Sequence, residues 1–192
     1  YSALTIGAWV NPTAHGHDSG GVYGLTVISK TEADGFALRV KDGFLQADLR
    51  LTGGDKTVTF PSQASAIPLN QWTNLAFTYN GSTITGYING ASVGTVSASG
   101  TVKNSVNSAV NLLIGNDPAA GGGIQPGLGW NGLIDEVSFY SRTLTAGEVA
   151  SLASADTITQ TAGTTSLGTG GILHGGIDIQ GGSLVGTGTV RG

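Results

Sequence analysis

The chain contains no cysteine and no methionine, and it carries little charge. Lys and Arg total 8, Asp and Glu total 12, so charged residues make up 10 % and the net charge is -4. The lack of cysteine excludes a disulfide scaffold, a thiol nucleophile and a cysteine zinc site together. So few cations cannot supply the clustered basic face that nucleic-acid phosphates require, nor hold an anionic membrane surface. No apolar run approaches the ~18 residues of a membrane-spanning helix. An apolar fraction of 39 % at this low charge also excludes a disordered polymer. What is abundant is glycine, 33 of 192 residues, more than twice the usual ~7 %. It shows no third-residue period, so collagen is excluded. The chain opens at Tyr1 with no initiator Met and no signal peptide, and reads as a processed chain or an excised fragment.

Period-2 alternation runs through the first three quarters. Leu4, Ile6, Ala8 and Val10 share one strand face. Phe36, Leu38 and Val40 alternate with Arg39 and Lys41; after Asp42-Gly43, Leu45, Ala47, Leu49 and Leu51 alternate with Gln46, Asp48 and Arg50. An Asp-Gly pair between two alternating runs is a strong hairpin signal, because glycine accepts the positive φ of the turn. Leu75, Phe77 and Tyr79 lead through Asn80-Gly81-Ser82 to Ile84 and Ile88, and Asn89-Gly90 turns the chain into Ser92 to Val96. Further strands are expected at Leu25 to Ser29, Thr57 to Phe60, Val110 to Ile114 and Gly132 to Tyr140. Thr145-Ala146-Gly147-Glu148 reads as a capping box that starts one short helix with Val149 and Leu152 on its apolar side. Short strands separated by turns predict an all-β, two-sheet antiparallel sandwich.

After Leu152 the texture changes to Gly, Thr, Ser and aliphatics. A shift of 18 residues matches Gly163 with Gly181, Leu167 with Val185, Thr169 with Thr187 and Ile172 with Val190. That period predicts a C-terminal β-solenoid-like segment of two rungs, fewer than the three or so normally needed to bury a core. Leu167, Ile172, Ile177, Ile179, Leu184 and Val190 would fill its interior. The alternative is a flexible Gly/Thr linker. The domain organisation expected is therefore residues 1–154 as the sandwich and 155–192 as the start of solenoid repeats or a linker.

Leu4-Thr5-Ile6-Gly7-Ala8-Trp9-Val10, Ile28-Ser29-Lys30 with Gly35-Phe36-Ala37-Leu38, and Gln71 to Tyr79 with Tyr87-Ile88-Asn89-Gly90 follow in that order. Leu113-Ile114-Gly115, Trp130 to Val137 and Arg142-Thr143-Leu144 complete a pattern that resembles laminin-G-like (concanavalin A-like) jelly-roll domains over residues 1–154. The tail more loosely resembles Gly-rich repeats of bacterial surface adhesins. The resemblance implies a two-sheet jelly roll of a secreted or cell-surface protein. It also implies binding of a glycan or an extracellular protein, often beside calcium.

Asp135 is the candidate metal ligand. Alternation places it with Leu133, Val137 and Phe139 on an apolar face, where a carboxylate is costly without a cation or several donors. In the resembling family an Asp here commonly binds calcium with backbone carbonyls; the other reading has it accepting from backbone N–H groups or Arg142. His15-Gly16-His17-Asp18 offers two imidazoles and a carboxylate to a transition metal, but lies in a turn-rich segment that reads equally as a solvent loop. The candidate ligand-binding residues are Asn116, Asp117 and Trp130: two polar side chains in a Gly-rich loop beside an aromatic, with Trp130 alternatively a core residue. Trp72 reads as a strand-end anchor. Glycosidase chemistry needs two facing carboxylates. The chain has three Glu, and the adjacent Asp135-Glu136 point to opposite faces of a strand.

These readings predict a non-catalytic binding or adhesion module, extracellular, with calcium as its cofactor. The alternative is a self-assembling subunit of an extracellular sheath or filament, associating through its C-terminal repeat. A glycosidase-related domain is disfavoured.

Overall fold

The pairs Asp42-Gly43 and Asn89-Gly90 are tight turns, with φ of 52° and 87° in the first and 48° and 76° in the second. Each joins two strands of one sheet, as the primed hairpin turns do. The computed structural model describes residues 1–32, 34–60, 66–103, 110–119, 123–154, 158–169, 172–174, 177–187 and 189–191. It divides into two units, Tyr1–Ala153 and Ser154–Gly192.

The strands of the first unit are, in chain order, β1 (Leu4–Pro12), β2 (Leu25–Thr31), β3 (Gly35–Lys41), β4 (Phe44–Leu49) and β5 (Lys56–Thr59). They continue with β6 (Thr73–Tyr79), β7 (Thr83–Ile88), β8 (Ala91–Ser97), β9 (Leu113–Ile114) and β10 (Gly132–Tyr140). They form two five-stranded sheets, β10-β1-β6-β7-β8 and β5-β4-β3-β2-β9, and every pairing in them is antiparallel. The inner faces carry the expected alternating apolar sets. Leu4, Ile6, Val10, Leu75, Phe77 and Tyr79 from one sheet meet Phe36, Leu38, Val40, Leu45, Ala47 and Leu49 from the other in one buried cluster. At roughly 1.5–3 kcal/mol for each large side chain removed from water, this cluster is the main stabilising term of the unit.

One strand departs from strict alternation. Trp9 pairs with Asp135 and Gly7 with Ser138, so Ala8 faces two residues, and Glu136 in that bulge has φ 48°. The extra residue resets which side chains face inward. Ile134 and Val137 both pack on the core, while Leu133 is 59 % exposed and Asp135 is exposed. The apolar face expected for Asp135 therefore does not exist. The strand expected over Val110 to Ile114 is confined to its last two residues.

The helix α1 (Ala146–Leu152) forms as its capping box dictates. The Thr145 hydroxyl accepts from the Glu148 amide, and the Glu148 carboxylate accepts from the Thr145 amide. Val149 and Leu152 pack with Ala76, Tyr87, Tyr140 and Leu144 on the outer face of the first sheet. The turn glycine Gly90 makes this docking possible, since a Cβ there would stand 2.8 Å from Ala150 Cα. Trp9 Nε1 and Asn74 Nδ2 both donate to the Leu152 carbonyl, at 3.3 Å each, satisfying one of the carbonyls a helix end leaves open.

The second unit contains β11 (Ile158–Gln160), β12 (Thr164–Leu167), β13 (Ile172–His174), β14 (Ile177–Ile179), β15 (Ser183–Gly186) and β16 (Thr189–Arg191). These make three two-stranded parallel sheets, β11·β14, β12·β15 and β13·β16. Thr164 lies opposite Ser183 and Leu167 opposite Gly186, nineteen positions apart rather than the eighteen of the sequence match. Beyond Gly186, at φ 125°, the spacing shortens: Thr169 Oγ1 lies 3.1 Å from Thr187 Oγ1, and in β13·β16 Ile172 lies opposite Thr189 and Leu173 opposite Val190, so Ile172 does not pair with Val190 as the sequence match had it. Of the expected interior residues, Leu184 is half-buried but Ile179 is 42 % exposed. The side chains of Leu167, Ile172, Ile177 and Val190 lie outside the described ones.

The capping box yields a prediction. Hydrogen bonds from the Arg142 guanidinium and then from Thr145 hold the Glu148 carboxyl at about 2, below its ordinary 4.5. A depressed carboxyl stabilises the fold above its unfolded pKa and loses that contribution as pH falls through the folded value. Thr145→Ala should cost about 1 kcal/mol in urea unfolding at neutral pH. Glu148→Gln should flatten the stability loss between about pH 4.5 and pH 2; an acid limb identical to wild type would refute the assignment.

Candidate functional site

The polar face of β3 and β4, opposite the core, is where sequence and structure part most. Arg39, Gln46 and Asp48 alternate with Leu38, Leu45 and Ala47, as expected, yet they are not solvated. Arg39 is 1 % exposed and Asp48 0 %. Thr26, Ser29 and Thr31 on β2 are buried with them. Two connections cover this face. The β1–β2 connection crosses it where Gln46 Oε1 accepts from the Gly24 amide and Gln46 Nε2 donates to the Val22 carbonyl, at 3.0 and 2.9 Å. The β9–β10 connection crosses it through Asp117.

Asp117 was expected to face a ligand. It is instead 6 % exposed, and its Oδ1 accepts from Arg39 Nη2 at 2.8 Å, Thr31 Oγ1 at 2.9 Å and Ser29 Oγ at 2.5 Å. Its physical role is to neutralise Arg39 at a site where an unpaired guanidinium would be prohibitive. Arg39 also donates to Thr26 and Thr31, and stands 3.9 Å from Asp48 Oδ2. Asp48 accepts from Thr57 at 3.1 Å and lies 3.4 Å from Arg50. Among the described residues, Arg39 Nε, Arg50 Nε and Asp48 Oδ2 find no hydrogen-bond partner. Burial pushes the Asp48 carboxyl upward, and Arg50 and Arg39 offset only part of that.

At the rim of this network stands Tyr23, half-buried, with the guanidinium carbons of Arg39 and Arg50 5.2 and 6.0 Å from its ring centroid. Around it, Asp55 lies 3.6 Å from Arg50 and 2.8 Å from Lys103. Glu32 is half-buried; burial first, then the negative charge of Asp117, raises its carboxyl. Sequence reasoning missed Tyr23, Glu32, Arg50 and Asp55. The available signal was an aromatic between Val22 and Gly24, in a loop that had been read for its histidines.

Asn116 Oδ1 accepts from the Asp117 amide at 2.9 Å and stays half-exposed beside the network. Trp130 packs on the core, and its indole donates to the Leu133 carbonyl at 3.2 Å. The Trp130 amide donates to the Gly115 carbonyl at 2.9 Å, so the backbone of Trp130 lies beside Asn116, while the Asp117 carboxylate is turned inward to Arg39. Trp72 is exposed and precedes its strand. His15 Nε2 is 2.8 Å from the Ile67 carbonyl, while His17 pairs with Asp42 at 2.6 Å. Asp18 turns to the amides of Val22 and Tyr23. The three do not converge, and among the described residues no group of three or more His, Cys, Asp or Glu could hold a metal ion.

Asp135 Oδ1 accepts from the Glu136 amide at 2.8 Å, and Arg142 is engaged by Glu148. Calcium takes six to eight oxygens.

Asp48 and Asp117 do approach a common guanidinium nitrogen, a carboxylate pair that alternation alone could not show because Asp117 comes from a distant loop. Their burial removes them from any glycosidic bond. The accessible feature is Tyr23, and Asp18 holds its backbone. Burial pushes the Asp18 carboxyl up, but the amides of Tyr23, Val22 and Gly20 together outweigh it and leave it lowered. That hold is complete above the ordinary 3.8 and is lost as pH falls through the lowered value. Asp18→Ala should speed amide hydrogen exchange at Val22 and Tyr23 by about tenfold while leaving β3 and β4 unchanged. Unaltered exchange at those two amides would contradict the assignment.

Comparison with known proteins places these features. The family profile described as the concanavalin A-like lectin/glucanases superfamily matches residues 1–150. No curated protein sequence matches. Among solved structures, a heptameric SAP-like pentraxin from Limulus polyphemus is similar at 21 % identity, TM-score 0.56, covering 80 % of this chain and 70 % of that one. The CBM40 of the Ruminococcus gnavus IT-sialidase, bound to α2,3-sialyllactose, is similar at 16 % identity and TM-score 0.57, with 79 % and 82 % covered. A carbohydrate-binding protein from Bacteroides ovatus is similar at 18 % identity and TM-score 0.57; the match covers 78 % of this chain and 40 % of that longer one. At these identities the likeness to solved structures is one of fold, whereas the profile match spans most of the sandwich and its closing helix. The chain belongs to the concanavalin A-like lectin/glucanases superfamily, as a laminin-G-type jelly roll.

Proposed function

We propose that residues 1–154 are a non-catalytic glycan-binding module of an exported protein, and that the saccharide docks at Tyr23. The observation that carries this reading is the half-buried Tyr23 ring, held at the rim of a rigid charged network. Arg50 donates to its hydroxyl at 3.4 Å, and the ion pairs of Arg50 with Asp55 and of Asp55 with Lys103 carry polar groups outward from it. A sugar presents an apolar ring face and a girdle of hydroxyls, and a site for it needs an aromatic surface with a few placed polar groups. The groups are fixed before the ligand arrives, which lowers the ordering cost of binding. Carbohydrate-binding structures of the same fold support the class of ligand. The inaccessibility of Asp48 and Asp117 supports binding without hydrolysis. Extracellular placement accords with the laminin-G-type family. The binding proposed here does not require calcium.

A second reading concerns the C-terminal unit, which we take to be two rungs of a β-solenoid. Gly163 and Gly182 occupy equivalent corners at φ 82° and 88°. Thr164 Oγ1 lies 3.2 Å from Ser183 Oγ, and Thr169 Oγ1 3.1 Å from Thr187 Oγ1. Thr165 and Leu184, opposite each other, are both half-buried. Repeated corners and stacked like side chains are the marks of a coil.

The binding reading is tested on an array of neutral and acidic oligosaccharides, with calcium and with chelator. At least one glycan should bind equally in both, and Tyr23→Ala should weaken it about tenfold without lowering the melting temperature. Absence of binding to every glycan, or an indifferent Tyr23→Ala, would overturn it.

A further inference from the structure

The charged groups linked to Tyr23 do not balance. Arg39, Arg50 and Lys103 are the cations. Asp117 lies 2.8 Å from Arg39, Asp48 3.4 Å from Arg50, and Asp55 3.6 Å from Arg50 and 2.8 Å from Lys103. Those three carboxylates match the three cations, and one further carboxylate, Glu32, is left over. Among the described residues, nothing makes an ion pair or a hydrogen bond with the Glu32 carboxylate.

The backbone holds Glu32 against this network. It directly follows β2, whose last residue, Thr31, donates to Asp117 at 2.9 Å and accepts from Arg39 at 3.1 Å. The turn that carries Glu32 ends at Gly35, whose carbonyl accepts from the Arg50 amide at 2.9 Å. Glu32 therefore stands between the Arg39–Asp117 pair and Arg50, and Arg50 in turn reaches the Tyr23 hydroxyl at 3.4 Å. Three charged groups face it: Asp117 from the β9–β10 connection, Arg50 from the end of β4, and Arg39 from β3. Burial and the Asp117 charge raise its carboxyl, and the two guanidiniums offset only part of that. A half-buried carboxylate in this balance lacks a cation. Both guanidiniums are engaged by other carboxylates, so the compensating cation has to come from outside the network.

We propose that Glu32 completes the Tyr23 site as its anionic acceptor, and that the site prefers glycans with a free amino group over their neutral counterparts. This rests on the Tyr23 reading above. A sugar hydroxyl can donate to Glu32 but leaves the surplus negative charge in place. An ammonium donates and also neutralises it, and a hydrogen bond between two ionised groups is of the strong class.

The test uses the whole chain and two probes of the same length, a glucosamine tetramer and its N-acetylated counterpart, titrated by calorimetry. Wild type should bind the amino tetramer about tenfold more tightly. Glu32→Gln should abolish that preference without lowering the melting temperature, and Tyr23→Ala should weaken both probes. Affinity for the amino tetramer should fall with pH through the raised Glu32 value, above the ordinary 4.5, because the carboxylate is the form that binds; in Glu32→Gln this limb should vanish. A preference that survives Glu32→Gln would reduce it to attraction by the net charge of -4 and overturn the proposal. Equal binding of the two tetramers, both weakened by Tyr23→Ala, would overturn the amino preference and leave the Tyr23 site standing. Amino-tetramer binding indifferent to Tyr23→Ala would overturn the shared site. A lowered melting temperature in Glu32→Gln would give Glu32 a structural role and overturn the proposal, as would the binding of neither tetramer.

Discussion

The ion pair between Arg39 and Asp117 is the constraint around which the first unit is arranged. A guanidinium on the outer face of a sheet is ordinarily solvated; here it is buried, and burial of an unpaired charge is untenable. The compensating carboxylate arrives from the β9–β10 connection, 78 positions away. Once Asp117 is seated, that connection must cross the sheet face, and the hydroxyls of Ser29 and Thr31 complete its coordination. The β1–β2 connection covers the same face through Gln46. A sheet whose outer face is closed in this way leaves its accessible groups at the rim, where Tyr23 stands.

The same constraint bears on the choice between binding and catalysis. Carboxylates that could act on a glycosidic bond must reach it, and the two that meet near Arg39 are sealed beneath loops. Their electrostatic work is internal. What stands at the rim is an aromatic ring and polar groups engaged with one another. Fold alone would not decide between these outcomes, since one jelly roll hosts both.

The sandwich was largely legible in the sequence because inner-face alternation is strict and the turns are marked by Asp-Gly and Asn-Gly. The helix was legible from Thr145 and Glu148. Three features were not. The bulge at Glu136 carries no signal, because Glu is not a residue that announces a positive φ, and its one-residue shift exposes Asp135. Arg39, Gln46 and Asp48 read as a solvent face, because alternation reports which residues oppose the core but not what covers them. Asp117 and Tyr23 come from loops, whose paths depend on contacts far apart in the chain. The candidate site was therefore mostly hidden, since Tyr23, Arg50 and Asp55 meet only through the path of the loops.

The most direct test is a double-mutant cycle on unfolding free energy with Arg39→Met and Asp117→Asn. A buried pair that organises the sheet face predicts a coupling of about 1–3 kcal/mol between the two changes. Additivity within about 0.5 kcal/mol would contradict the account, since it would mean that Arg39 and Asp117 do not depend on one another.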